Sequence, residues 1–82
     1  MDLKEMHLDP RQLKAARMSQ GFTQDDIGEL LGITGSAYQK KEQGITEFKL
    51  KEAIIISDFL EEPLEKIFSY KLENSSSSKK VS

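Results

Sequence analysis

Apolar side chains along this chain return every three or four residues, in short bursts separated by glycine, proline and capping residues. That is the pattern of short amphipathic helices. Asp9-Pro10-Arg11-Gln12 reads as an N-cap, a proline at the first helical position and a glutamine placed to close a capping box. It opens a helix ending near Gln20, with Leu13, Ala16 and Met18 as a narrow buried stripe. A second helix follows Thr23, whose hydroxyl can cap the amide near Asp26, and runs through Ile27, Leu30 and Leu31 to Gly32. Thr34 caps a third, containing Ala37, Tyr38 and Lys41, which Gly44 ends in the left-handed conformation. A fourth covers Leu50 to Leu60, with Leu50, Ala53, Ile54, Ser57 and Leu60 on one face. Glu62 and Pro63 open a fifth that carries Leu64, Ile67 and Phe68.

No strand alternation and no internal repeat is visible, so the expected architecture is an all-α, compact bundle of five short helices. Residues 1–8 read as a flexible N-terminus and 9–72 as the domain. Residues 73–82, rich in serine and lysine, have too little apolar surface to offset the entropy of ordering.

Composition narrows the function classes. With 82 residues the chain supports one small core and no large catalytic cleft. No cysteine is present and His7 is the single histidine, so neither a thiolate nor a histidine metal site is expected, and no cofactor. The longest apolar run, Ala53 to Ile56, is far below the roughly 18 residues that span a bilayer. With no secretory segment behind Met1-Asp2-Leu3-Lys4-Glu5, a cytoplasmic location is expected.

The informative stretch is Gln24 to Lys41, where two short helices meet across Gly32-Ile33-Thr34. Gly28 lies mid-helix, where glycine costs about 1 kcal/mol against alanine, and a close helix-helix approach would explain it. Gly32 can adopt the positive φ that turns the chain, with Ile27, Leu31 and Ile33 packed beneath the corner. This is a helix-turn-helix, whose second helix can enter the DNA major groove. Gly-Phe-Thr-Gln (21 to 24), Ile-Gly-Glu-Leu-Leu-Gly-Ile-Thr (27 to 34), Lys-Lys-Glu-Gln-Gly (40 to 44) and Leu-Glu-Lys-Ile-Phe (64 to 68) follow in order. Together they resemble the Xre/Cro family of phage-type repressors over residues 13 to 68.

The resemblance implies a lambda-repressor-like fold and several residue roles. Gln24 and its backbone amide would grip a phosphate, while Gly35, Ser36 and Ala37, with Gln39 or Lys40 one turn later, would face base edges. Arg17 and Glu42 would form a partly buried ion pair bracing the recognition helix. Lys14, Thr23, Gln43 and Lys49 join Gln24 as expected phosphate contacts. Two departures stand out. Tyr38 and Lys41 occupy positions where the family buries apolar residues, and Gly35 and Ala37 carry no hydrogen-bonding side chain. Ser36, Gln39 and Lys40 are left as base readers, so readout should be modest or rest on phosphate contacts and DNA shape.

The formal charge of -2 counts against nucleic acid, but the charge is unevenly spread. Residues 10–24 carry Arg11, Lys14 and Arg17 with no acid, whereas 52–65 carry Glu52, Asp58, Glu61, Glu62 and Glu65 with no base. Asp25, Asp26 and Glu29 place acid near the expected phosphate path. Ile54, Ile55 and Ile56 cannot all be buried in one small core. Ile55 and Phe59, with Phe68, Tyr70 and Leu72, are therefore expected to meet a second chain, either another copy or a different regulatory protein. The expected function is a sequence-specific, Cro-like transcriptional regulator that binds double-stranded operator DNA with the helix at 35–43 and without catalysis. The alternative is an interaction module on the same fold, such as an antirepressor or antitoxin-like partner of another regulator.

Overall fold

A computed structural model describes residues 6–72, and of residues 6, 7 and 70–72 the backbone alone. Five helices lie between two short strands: β1 (Met6–Asp9), α1 (Leu13–Ser19), α2 (Gln24–Leu31), α3 (Gly35–Glu42), α4 (Leu50–Leu60), α5 (Leu64–Ile67) and β2 (Ser69–Leu72). The all-α arrangement expected from the sequence is present, with a small antiparallel ribbon added in which Leu8 opposes Tyr70 and Asp9 opposes Ser69. The N-terminus expected to be flexible through residue 8 is therefore a strand from Met6 onward. Four-residue strands are too short for a period-two signal, and this pair forms only because α5 returns the chain to its start. The expected tail, 73–82, lies outside the described residues.

Local chemistry sets the helix starts. Thr23 and Asp26 form a reciprocal capping box at α2, with Asp26 N donating to Thr23 Oγ1 at 3.0 Å and Thr23 N to Asp26 Oδ2 at 2.9 Å. Thr34 Oγ1 accepts from Ala37 N at 3.0 Å to cap α3. The start of α1 differs from expectation. Asp9 Oδ1 accepts from Arg11 N, and Pro10 O from Leu13 N, so residues 9–12 form a turn and the helix begins at Leu13. A proline after an Asx residue serves a tight turn as well as it serves a helix start.

The core joins Leu8, Leu13, Ile27, Tyr38, Phe48, Ala53, Ile56, Leu60, Ile67 and Phe68. Tyr38, Phe48 and Phe68 make a chain of edge-on ring contacts, with centroids 6.1 and 5.0 Å apart. Phe68 is 1% exposed and so belongs to the core, contrary to its expected place on a partner surface. Full burial of such a ring is worth about 2–3 kcal/mol, which the chain obtains internally. Met18 is 57% exposed, and the α1 position facing the core is taken by Arg17. The buried stripe of α4 is Ala53, Ile56 and Leu60, while Leu50 and Ile54, expected on that face, are exposed. Among the described residues no helix is long and apolar enough to cross a membrane.

The corner between α2 and α3 rests on two glycines. A Cβ on Gly28 would sit 3.0 Å from the carbonyl oxygens of Ile33 and Thr34, so the close approach is to the backbone of the turn. Gly32 has φ 76° with open space around its Cα, which makes its requirement purely conformational. Gly32→Ala should therefore lower the unfolding free energy by about 1–2 kcal/mol, with Gly32→Asn costing less. Urea denaturation of the two variants checks this, and equal losses would point to packing.

Candidate nucleic-acid interface

The outward side of α3 is a polar stripe. Ser36, Gln39, Lys40 and Gln43 are exposed at helical spacing, and Tyr38, Lys41 and Glu42 occupy the opposite, buried side. Gly35 and Ala37 are half-buried at the leading end. Two attachments fix how this stripe is presented.

The first centres on the Glu42 carboxylate, whose side chain is 3% exposed. Its Oε2 accepts from Arg17 Nε at 2.8 Å and from Tyr38 Oη at 2.8 Å; its Oε1 accepts from Arg17 Nη2 at 3.1 Å and from Gln24 Nε2 at 3.0 Å. Arg17 Nη1 also donates to the carbonyl of Phe22 at 2.7 Å. The expected Arg17–Glu42 brace is thus present as a network joining α1, α2 and α3. Tyr38, at a family position for apolar residues, buries its ring and uses its hydroxyl inside this network. Burial, then the bond to Glu42, raises the Tyr38 phenol well above its ordinary value and keeps it a donor.

The second attachment is Lys41, 9% exposed, whose Nζ donates to Glu47 O at 2.9 Å and pairs with Glu52 Oε1 at 3.1 Å. The ammonium lies 5.7 Å from the Phe48 ring centroid. Glu52 also accepts from Lys49 N, so one carboxylate holds the α3–α4 loop and caps α4. Lys41 is buried at a position where the family places an apolar residue, and its charge is used inside the fold.

Lys14, Met18, Gln24, Gln39 and Gln43 line a shallow cleft of about 370 Å³ above the Arg17–Glu42 pair. Four residues expected at the DNA surface, from three helices, therefore share one concavity, while Ser36 and Lys40 stand on the exposed stripe of α3. Lys49 lies apart, at the N-cap of α4. Thr23 is occupied by its capping box, and one of the two N–H groups of the Gln24 side-chain amide by Glu42, which leaves Gln24 its second amide N–H and its backbone amide for an acceptor such as phosphate. Met18, expected in the core, lines this cleft as well; its spacing of four from Lys14 puts it on the same exposed flank.

Charge is scarcer here than the sequence tally implied. Arg17, Lys41 and Arg11 are paired with Glu42, Glu52 and Asp9, leaving Lys14, Lys40 and Lys49 on this side without an ion pair among the described residues. A Cβ on Gly35 would overlap the Asp25 carboxylate, so an acid occupies the leading end of α3 and accounts for the glycine there. Of the expected partner residues, Ile55 is half-buried and Phe59 is 40% exposed, its ring 4.8 Å from that of Phe22. The side chains of His7, Tyr70 and Leu72 lie outside the described residues.

The network carries a pH dependence. Burial alone would raise the Glu42 carboxyl, but the bonds from Arg17, Gln24 and Tyr38 and the guanidinium charge outweigh it and hold the group below its ordinary 4.5. A lowered folded-state value contributes stability that is present above that ordinary value and lost as pH falls through the folded one. Glu42→Gln leaves Arg17 buried without a counter-ion and should cost about 3 kcal/mol or more at neutral pH. In urea unfolding between about pH 3 and pH 7, the wild type should lose more stability on acidification than the variant.

Residues 13–67, about two thirds of the chain, match the family model HTH_3, described as helix-turn-helix. No curated protein matches the chain. The matched span begins at the first residue of α1 and ends at the last of α5, so it includes the whole helical bundle, the brace and the turn. The chain belongs to the Xre/Cro-type helix-turn-helix family.

Proposed function

We propose that this protein is a sequence-specific transcriptional regulator that occupies operator DNA in the manner of a repressor, with α3 in the major groove. The observation carrying this reading is the polar stripe Ser36, Gln39, Lys40 and Gln43 on a helix whose other side is locked by Tyr38, Lys41 and Glu42. Docking a helix in a groove requires that its orientation be fixed before contact, since each misplaced contact forfeits about 1–3 kcal/mol of discrimination.

In this reading Lys40 donates to guanine O6 and N7, Gln39 reads adenine, and Ser36 serves either base. Gly35 and Ala37 contribute close backbone approach and a methyl surface. Lys14, Gln24, Gln43 and Lys49 set register on phosphates, with Thr23 acting through the α2 cap. Two such domains about a two-fold axis would place their recognition helices one turn of DNA apart, about 34–36 Å.

Asp25 supports a second reading. A carboxylate at the leading end of the recognition helix repels phosphate, and it suits a basic partner protein in an antirepressor or antitoxin-like role.

Fluorescence titration of duplex DNA over a salt series separates the two. The regulator reading expects specific binding that Lys40→Glu abolishes. Lys49→Ala should weaken binding equally on all sequences and reduce the logarithmic salt slope by about 0.9 per domain. Asp25→Asn should tighten binding about two- to tenfold by removing the repulsion. No duplex binding above the nonspecific level at low salt would assign the protein to the interaction-module reading.

A further inference from the structure

Gly35 is the first residue of α3, and its own backbone does not call for glycine: the glycines with positive φ are Gly21, Gly32 and Gly44. Within a helix glycine is a weaker former than alanine. What reserves the position is Asp25, on α2. A Cβ on residue 35 would overlap Asp25 Oδ1 and stand 2.8 Å from its Cγ, so the carboxylate of one helix fills the place that a side chain of the next would take. Asp25 is exposed, and its carboxylate has neither a hydrogen bond nor an ion pair among the described residues. It is not needed as a cap either. Thr34 caps α3, and the adjacent Asp26 serves the box that opens α2.

The N-terminal residues of a recognition helix are the ones that meet base edges in the major groove. We propose that Asp25 reads cytosine there, its carboxylate accepting a hydrogen bond from the N4 amine of the base that residue 35 faces. This rests on the regulator reading of α3 and names a base that the site selects. An ionised carboxylate is an acceptor only. On their own major-groove edges guanine presents O6 and N7 and thymine presents O4, all acceptors, and adenine sets the acceptor N7 beside its N6 amine. Cytosine presents a donor with no acceptor beside it. Over the other three bases the carboxylate loses water without gaining an uncontested donor, so most of the selection is by exclusion. The acid that repels phosphate thus exchanges general affinity for discrimination. A helix whose first residue has no side chain gains a charged base reader, supplied by α2 across the turn.

Duplexes selected from a random-sequence pool by the full chain should carry a cytosine that selection by Asp25→Ala does not enrich. On four duplexes differing only at that base pair, fluorescence titration should show wild type favouring cytosine about tenfold, and Asp25→Ala binding all four within about twofold of one another. Loss of phosphate repulsion acts on all four alike, so their ratio isolates the base contact. Gly35→Ala retains Asp25 but displaces its carboxylate, and it should lose the same preference. N4-methylcytosine at that position keeps the base pair and removes the N–H turned to the groove. It should weaken wild-type binding about tenfold and leave Asp25→Ala unaffected. Unfolding midpoints near that of wild type establish that both variants are folded, and the wild-type half of the methylation comparison needs no variant. A motif that is the same for wild type and Asp25→Ala, a Gly35→Ala variant that still prefers cytosine, or wild-type binding indifferent to N4-methylation would each overturn the inference and leave the regulator reading standing. A pool from which wild type selects no motif would overturn both.

Discussion

The Glu42 carboxylate accepts four hydrogen bonds from three side chains, Arg17 on α1, Gln24 at the start of α2 and Tyr38 on its own helix. An eight-residue helix such as α3 is below the about 12–15 residues at which isolated helices become even marginally stable. Its existence and its orientation therefore come from what it is fastened to. Removing a carboxylate and a guanidinium from water is expensive, and the pair is sustained because geometry and additional donors fill the remaining acceptor positions. The same bonds hold Arg17, Gln24 and Glu42, three of the side chains that line the polar cleft.

This construction has an electrostatic consequence. Arg17 and Lys41 lie in the part of the chain that would meet DNA, yet both charges are committed to Glu42 and Glu52. Asp25 adds an acid at the leading end of α3. What remains is a few exposed lysines, a small electrostatic contribution for a nucleic-acid surface.

Much of the fold was legible locally. Thr23 and Thr34 cap the helices they precede, the turn is Gly32-Ile33-Thr34, and α4 spans Leu50–Leu60. Each is decided within a few residues by a side chain reaching a nearby amide or by a glycine accepting a positive φ. The Arg17–Glu42 pair joins residues 25 apart in sequence and was accessible only through the family resemblance. That Tyr38 and Gln24 complete it was not, because a tyrosine hydroxyl finds its acceptor only after helices have packed.

The misassigned residues share one cause. Periodicity shows that α4 is amphipathic but leaves its rotation about its own axis undetermined when apolar residues occur on several sides, so it favours Ile54 inward although Ile56 is the core residue. Phe48 lies outside the helices and carries no periodic signal, and the β1–β2 ribbon joins segments about 60 residues apart. The sequence by itself determined the number and order of the helices, the caps of α2 and α3 and the corner between them, because those depend on contacts within a few residues. Tertiary structure alone decided which face of each helix is buried, which charges are neutralised inside and which polar side chains are left to meet a partner, because these depend on what the rest of the chain brings alongside.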